Sequence, residues 1–217
     1  MSRPLHSPAV VTRVSDLTGY TPLFELCRTA SRTRLLLKLE FFNPTGTAKI
    51  RVARQMVLDA ESRGELRPGG RIVESTSGNT GMGLAVVAAE RGYTFTAVVD
   101  RHASPDKLRA MRALGAELIY VTEDGEDGLA TGAREELAAR LAKDSDNTIF
   151  TEQHNNPSNA ESYRAVAAEL TAALPHSIDY LIGAVGTGGS LCGTGGELRR
   201  TYPSVRLLGV EPVGSIA

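Results

Sequence analysis

One lysine stands at the junction of a turn and a helical pattern, a position that suits nucleophilic chemistry. Lys49 ends the turn formed by residues 43–48 and opens a segment with apolar residues at helical spacing. The positive end of a helix dipole and partial burial would both lower the pKa of a lysine placed there. Such a lysine can act as a nucleophile and as a base. A lysine near a helix start is more often a solvated surface charge. A catalytic role for Lys49 is therefore predicted only in combination with the two loops described next.

Two loops rich in glycine and hydroxyl residues follow, each between a predicted strand and a predicted helix. The 75–81 loop reads Ser-Thr-Ser-Gly-Asn-Thr-Gly, and the 186–190 loop reads Gly-Thr-Gly-Gly-Ser. Backbone N–H groups at a helix N-terminus bind anions, and glycines let the backbone approach them closely. The first loop is equally compatible with plain helix capping. The second partly matches a dinucleotide-binding fingerprint ending at Glu211, but Leu191 stands where its third glycine is expected.

Together and in this order, these segments resemble the fold-type II enzymes that depend on pyridoxal 5′-phosphate (PLP), the group of cysteine synthase and cystathionine β-synthase. The resemblance runs from about residue 18 to residue 217. The family pattern Asn-Pro-Thr-Gly-Ser-x-Lys-Asp-Arg is matched at Lys49 and Arg51, with Thr47 in place of the serine. Ile50 replaces the aspartate and removes a carboxylate that could partner Arg51.

The resemblance implies a role for each segment. Lys49 would carry PLP as a Schiff base, and Asn79 would hydrogen-bond the 3′-oxygen of the cofactor. The phosphate would be bound by Gly186, Thr187, Gly188, Gly189 and Ser190. The substrate carboxylate would be bound by Thr76, Ser77, Gly78, Thr80 and Gln153. Gln153 begins a Gln-x-x-Asn-Pro turn, which as a bare sequence is only a polar loop.

The activity that the resemblance implies is β-replacement on an O-activated L-serine, either O-acetyl- or O-phosphoserine, through an aminoacrylate. A small nucleophile would then give cysteine or another β-substituted alanine. Two alternatives stay open: a serine or threonine deaminase of the same fold, and a non-catalytic relative with a binding or regulatory role. The family's serine or threonine opposite the pyridine nitrogen would fall beyond Ala217, so the 217-residue sequence alone is expected to be a poor enzyme.

Composition and charge argue against several other classes of protein. The formal net charge of −1 gives no electrostatic case for binding nucleic acid or an anionic membrane. No apolar run approaches the length of a membrane span, and residues 1–10 do not resemble a signal peptide. Cys27 and Cys192 lie far apart and the four histidines are scattered, which predicts no metal site and a reducing cytoplasm. The expected partners are an amino-acid substrate, a small nucleophile and a second copy in a homodimer.

Strands alternate with helices along the chain, which predicts an α/β fold with parallel sheet and helices on both faces. Strands are predicted at 34–39, 71–74, 94–100, 117–121, 179–184 and 205–210. Helices are predicted at 49–63, 79–91, 105–114, 127–143, 159–174 and 190–201, with Ser104 as the cap of the third and a solvated acidic loop at 123–128.

The resemblance adds a division that no linker marks in the sequence. It implies two αβα domains with PLP in the cleft between them, as in folds like that of the tryptophan synthase β subunit. The smaller domain would comprise residues 44–148. The larger domain would comprise residues 1–43 and 149–217 and would be incomplete in this sequence.

Overall fold

The structure is a computed structural model that describes residues 10–31, 33–121 and 130–214. The acidic loop predicted at 123–128 and the first residues of the helix predicted from Asp127 lie outside these ranges. Within the described ranges the chain alternates strands and helices, and the predicted α/β class is confirmed.

A four-stranded parallel sheet forms the largest unit of the fold. It contains β3 (Arg71–Ser75), β4 (Thr94–Val99), β5 (Glu117–Tyr120) and β6 (Thr148–Phe150), in the spatial order β5-β4-β3-β6. Ile72 and Phe95 join the core made with α1 (Lys49–Ser62), α2 (Asn79–Arg91) and α3 (Pro105–Ala113). Val73 and Val98 face the other way, toward α4 (Thr131–Lys143). Successive residues of a strand point to opposite faces, so both faces of β3 and β4 are covered.

The end of α2 and the start of α3 can be compared with the sequence signals that predicted them. α2 has the predicted bounds, and Gly92 after it adopts the left-handed conformation, with φ +75°, that favours glycine at a helix end. At α3, Ser104 occupies the position before the helix, but its side chain makes no capping hydrogen bond. Ser104 is thus the N-cap residue, as predicted, but without the side-chain hydrogen bond of a capping serine. Pro105 opens the helix, because its fixed φ is already helical.

A second, two-stranded parallel unit carries the C-terminal part of the described chain. β7 (Tyr180–Ala184) and β8 (Arg206–Val210) are joined by α7 (Gly189–Thr201). The single helix predicted at 159–174 is wrong. It is two helices, α5 (Pro157–Ser162) and α6 (Arg164–Ala173), that meet at Tyr163, whose ψ of −3° departs from the helical value and whose ring is buried in the core. Four side chains on the two strands are about half exposed: Tyr180, Ile182, Leu208 and Val210.

Before α1 lies a short antiparallel hairpin that the alternating pattern did not predict. It pairs β1 (Leu23–Arg28) with β2 (Arg34–Lys38). The proposed domain boundary near residue 148 falls at β6, which is hydrogen-bonded to β3, and the division into 44–148 and the remainder stays a prediction. In the part of the chain that the structure describes, no helix combines the length and apolarity needed to cross a bilayer.

Candidate active site

Lys49 is the first residue of α1 and directly follows the predicted turn. The buried side chain of Asn43 anchors the start of that turn. It accepts a hydrogen bond from the Gly19 N–H at 2.9 Å and donates one to the Glu40 carbonyl oxygen at 2.8 Å. At the other end, the Thr47 hydroxyl accepts a hydrogen bond from the Lys49 N–H at 3.1 Å. The backbone of Lys49 is thus fixed from both sides, and its side chain is half-buried.

The electrostatic environment of Lys49 suits a nucleophile. Burial lowers the pKa of the Lys49 ammonium group, and the negative charge of Glu74 opposes part of that shift. A lysine with a lowered pKa holds more of the neutral amine near pH 7, and the neutral amine is the form that attacks a carbonyl or takes a proton. This is the direction that the turn-to-helix position predicted.

The first turns of α1 and α2 approach each other closely because of one glycine. A Cβ on Gly83 would lie 2.9 Å from Ala53 Cβ and 3.2 Å from the carbonyl oxygen of Lys49, too close for any other residue without a shift. Gly83 lies one turn after Asn79, the first residue of α2. The contact therefore brings the N-terminus that carries Lys49 beside the N-terminus that carries the 75–81 loop.

The shape of the 75–81 loop is set by its own threonine. Thr76 Oγ1 accepts hydrogen bonds from the N–H groups of Gly78 at 3.3 Å and Gly81 at 3.2 Å. A Cβ on Gly81 would lie 2.8 Å from Thr76 Cγ2 and 2.5 Å from Met111 Sδ, so a larger residue there would have to displace Thr76 or Met111. Both lone pairs of the Thr76 hydroxyl are engaged, and its hydrogen remains free to donate to an anion.

Thr80 and Gln153 contact each other across the base of this loop. The Thr80 hydroxyl donates to Gln153 Oε1 at 2.6 Å, and both side chains are buried. Ser77, Gly78 and Asn79 are only half-buried, and the first N–H groups of α2 have no partner within the helix. The predicted carboxylate-binding residues thus lie together, with Thr80 and Gln153 on the inner side and Ser77 to Asn79 on the outer side.

Beneath the loop lies a carboxyl group that the sequence analysis missed. Glu74 is 1% exposed, accepts hydrogen bonds from the Thr151 hydroxyl and, at 3.2 Å, from the Gln153 N–H, and makes no ion pair within the described chain. Burial raises the pKa of Glu74 from 4.5 to about 7, although these hydrogen bonds oppose the shift. The backbone of Glu152, between its two partners, has φ +46°, a conformation that non-glycine residues rarely adopt.

The 186–190 loop joins β7 to α7 and is open toward solvent on one side. Gly188 has φ +75°, and a Cβ on Gly186 would meet nothing within 4 Å. Thr187 is held from behind by Asn159, whose Nδ2 donates to Thr187 Oγ1 at 2.8 Å and to the Gln153 carbonyl oxygen at 2.7 Å. The loop is therefore exposed at Gly186, whereas Gly189, the first residue of α7, is buried against Asn159.

The two loops are consequently connected by side chains from the 153–159 segment. The path runs from Thr80 to the Gln153 side chain, then from the Gln153 carbonyl to Asn159 and on to Thr187. Asn159, like Glu74, was not predicted as a site residue. A charged residue directly after the apolar pair Ile72 and Val73 could have pointed to Glu74, whereas nothing in the sequence distinguishes Asn159 from other polar residues.

Arg51, two residues after Lys49, has carboxylate partners despite Ile50. It forms bidentate pairs with Glu40, at 2.7 and 2.9 Å, and with Glu169, at 2.8 and 3.2 Å, and Lys38 also pairs with Glu169. Ile50 itself is fully buried in the core. The aspartate that the family pattern would place at position 50 is thus replaced, as a partner for Arg51, by carboxylates from distant parts of the chain.

A cleft of about 910 Å³ lies elsewhere, between the β1–β2 hairpin and α6. Arg51 and Lys38 reach its lining, but none of the predicted site residues does. We therefore place the candidate site by its chemistry, at the N-termini of α1, α2 and α7, and not by cavity size. Among the described residues, no three His, Cys, Asp or Glu side chains are grouped to hold a metal ion.

Comparison with known families shows which family the chain belongs to. A family described as "Pyridoxal-phosphate dependent enzyme" matches residues 14–217. The chain belongs to this family. A putative cysteine synthase of Sinorhizobium fredii is 50% identical over 206 residues, which are 94% of this chain and 61% of that protein. A cystathionine beta-synthase of Apis mellifera is 36% identical over 214 residues, 96% of this chain and 42% of that protein.

The fold agrees with a solved structure of the same kind. The crystal structure of O-ureido-L-serine synthase superposes with a TM-score of 0.87 at 36% identity, and the match covers 96% of this chain and 65% of that one. The chain thus spans about 61% of the S. fredii relative and 65% of this structural neighbour. PLP, predicted from three short segments, is the cofactor of the family to which the chain belongs.

Proposed function

We propose that the protein catalyses β-replacement on an O-activated L-serine, in which a small nucleophile displaces the oxygen substituent at Cβ. The observations that carry this proposal are two connections: the close contact at Gly83 brings Lys49 beside the 75–81 loop, and Gln153 and Asn159 link that loop to the 186–190 loop by hydrogen bonds. The names of its relatives, a putative cysteine synthase and an O-ureido-L-serine synthase, favour this reaction over a deaminase. Within this reaction, we propose O-acetyl- or O-phospho-L-serine as the substrate.

The residues present fit PLP. The 186–190 loop offers glycines, the first N–H groups of α7 and the Thr187 hydroxyl to a phosphate. We assign the phosphate to this loop, covalent attachment to Lys49 Nζ, and the 3′-oxygen to Asn79. When bound, PLP supplies an electron sink for negative charge at the substrate α-carbon.

The substrate carboxylate belongs, in this proposal, to the 75–81 loop. The hydrogen of the Thr76 hydroxyl, the backbone N–H groups of residues 77–79 and the Ser77 side chain would donate to it. Thr80 and Gln153 would hold the loop in the binding shape through their mutual hydrogen bond. Gln153 Nε2 donates to the Ser75 carbonyl oxygen at 3.5 Å, and its second hydrogen would donate to the carboxylate. The substrate would then be oriented with its α-hydrogen toward α1.

Lys49 would move the proton. Its lowered pKa leaves the amine free to accept the hydrogen from the substrate α-carbon and to return it when the product forms. The nearby Glu74 carboxyl lies behind the loop, with 1% of its surface exposed, and so is shielded from direct contact with substrate. We retain the two-domain division, the cytoplasmic location and the homodimer as predictions that accompany this function.

The test is a product assay on the intact protein with PLP. We expect O-acetyl- or O-phospho-L-serine and sulfide to give cysteine, Lys49→Ala to abolish turnover, and Lys107→Ala, on α3, to retain it. Formation of a 2-oxo acid as the main product with sulfide present would favour the deaminase. A protein that shows no visible absorbance from bound cofactor would instead favour a non-catalytic role.

A further inference from the structure

Asn159 lies at the centre of the connection between the two loops. Its side chain is 3% exposed, and Nδ2 uses both of its hydrogens, one for the Gln153 carbonyl at 2.7 Å and one for Thr187 Oγ1 at 2.8 Å. A carbonyl oxygen can only accept, so the atom of Asn159 that faces Gln153 must be the nitrogen. This fixes the orientation of the amide and makes Asn159 the donor toward Thr187.

The direction of that hydrogen bond determines where the Thr187 hydrogen points. Thr187 Oγ1 accepts from Asn159 Nδ2 and, more weakly at 3.4 Å, from the Gly189 N–H. A hydroxyl has two acceptor positions and one hydrogen. With both acceptor positions directed at the protein, the hydrogen is left to point away from it, into the space in front of α7.

The rest of the Asn159 side chain is clamped against the same loop. Oδ1 is buried and has no hydrogen-bond partner in the structure. It lies against the Cα of Gly189, where a Cβ would overlap it. A buried amide oxygen without a hydrogen-bond partner lowers the stability of the protein. Asn159 is nevertheless oriented so that both hydrogens of Nδ2 are donated, to the Gln153 carbonyl oxygen and to Thr187 Oγ1.

We propose that Asn159 is a positioning residue that aims the Thr187 hydroxyl hydrogen at the phosphate of the cofactor. The inference rests on the proposed function, since it takes the 186–190 loop as the phosphate site. A hydroxyl that is oriented before binding donates to the phosphate without a loss of rotational freedom on binding. In this scheme Asn159 acts through Thr187 and does not touch the cofactor.

The variant Asn159→Asp replaces the donor with an acceptor of the same shape. The introduced carboxylate would draw the Thr187 hydrogen toward itself and away from the phosphate. For the intact protein freed of cofactor, we expect the affinity for PLP to fall about tenfold, the equivalent of one hydrogen bond to a charged group. We expect the affinity for pyridoxal, which lacks the phosphate, to change much less.

A double-mutant cycle with Thr187→Val separates this effect from simple charge repulsion. If Asn159 acts through Thr187, Asn159→Asp should cost little further PLP affinity once the hydroxyl is gone. An equal loss in both backgrounds, or an equal loss of PLP and pyridoxal affinity, would overturn the proposal. Asn155→Asp adds the same charge at an exposed position of the same segment and should bind PLP as the natural protein does.

Further variants keep the test decisive if Asn159→Asp does not fold. The neutral variant Asn159→Ala removes the donor to Thr187 Oγ1 without introducing an acceptor for the Thr187 hydrogen. It should lower PLP affinity by a smaller factor than Asn159→Asp, and this loss should also disappear in the Thr187→Val background. If neither folds, Thr187→Val alone must weaken PLP and spare pyridoxal. Should the natural protein bind PLP no better than pyridoxal, the phosphate assignment in the proposed function would fail, whereas phosphate-dependent binding that ignores Asn159 would overturn only this inference.

Discussion

The pKa values of two carboxyl groups shift in opposite directions: those of the partly buried Glu169, beside Arg51, and of the fully buried Glu74, beneath the 75–81 loop. Burial opposes ionisation of both, but hydrogen bonds from Arg51 and Lys38 hold the pKa of Glu169 below its usual value. Glu74 is held by a hydroxyl and a backbone N–H, and its pKa rises to about 7. The same residue type thus forms an ion pair behind α1 and a titrating group beneath the 75–81 loop, because only Glu169 receives hydrogen bonds from positively charged side chains.

This difference separates scaffold from site. The ion-paired group, made of Lys38, Glu40, Arg51 and Glu169, ties the N-terminal hairpin and α6 to the first turn of α1. Glu74 instead holds the segment that carries Gln153 and contributes charge toward Lys49. The ion-paired group should therefore contribute most to the stability of the fold. Glu74 should determine how stability and the charge near Lys49 vary around neutral pH.

The largest effect is expected from removing the central cation of the ion-paired group. Arg51→Met would leave Glu40 and Glu169 without their main partner, and loss of one member of a buried pair costs about 3–5 kcal/mol. Urea unfolding measures this loss. The matched control is Arg54→Met on the same helix, whose pair with Asp16 is exposed and should contribute less than about 1 kcal/mol. Equal losses for the two variants would contradict the distinction.

A smaller, pH-dependent effect is expected from Glu74. Its pKa is raised from 4.5 to about 7 in the folded protein, so the unfolded chain loses this proton first as pH rises. Stability should fall by up to about 3 kcal/mol between pH 4.5 and 7 and then level off. The pKa values of Glu40 and Glu169 are lowered in the folded protein, so these two groups have the opposite effect. Their contribution to the free energy of unfolding is lost only as pH falls below about 4.5.

Glu74→Gln should remove the decline between pH 4.5 and 7, measured as the free energy of unfolding at several pH values. Two charged groups act on Glu74 from neighbouring helices, Lys49 on α1 and Glu135 on α4, and both remain in the variant. Glu136→Gln, exposed on α4, serves as the control and should keep the natural slope. A Glu74→Gln variant with an unchanged slope would show that another group titrates in this window.

The sequence predicted the parts of this molecule that depend on local chemistry. The turn before Lys49, the two glycine loops and the bounds of α2 follow from residue types and spacing, and the structure has them at these positions. The break at Tyr163 was missed because it accompanies packing of the Tyr163 ring against distant residues of the core. Of the hairpin, the strand at 34–39 was predicted, but its partner β1 was not. Glu74 and Asn159 were missed for a related reason, since their roles arise from partners at positions 151–153 and 187.

The ion-paired group is a further case in which partners distant in the sequence could not be predicted. From the sequence, Ile50 seemed to deprive Arg51 of a carboxylate, because only neighbouring residues could be considered. Glu40 and Glu169 supply it from 11 and 118 positions away along the chain. Local patterns thus identify which residues can do chemistry, whereas the supports that hold them come from the fold.

The central claim is that Lys49 carries the cofactor, and chemical trapping tests it most directly. The chain has four lysines, and the other three are Lys38, paired with Glu169, and Lys107 and Lys143, on helices α3 and α4. The intact protein with PLP would be reduced with borohydride, digested and analysed by mass spectrometry. We predict the phosphopyridoxyl label on Lys49 at one per chain. A label on Lys38, Lys107 or Lys143 with Lys49 unmodified would contradict the account.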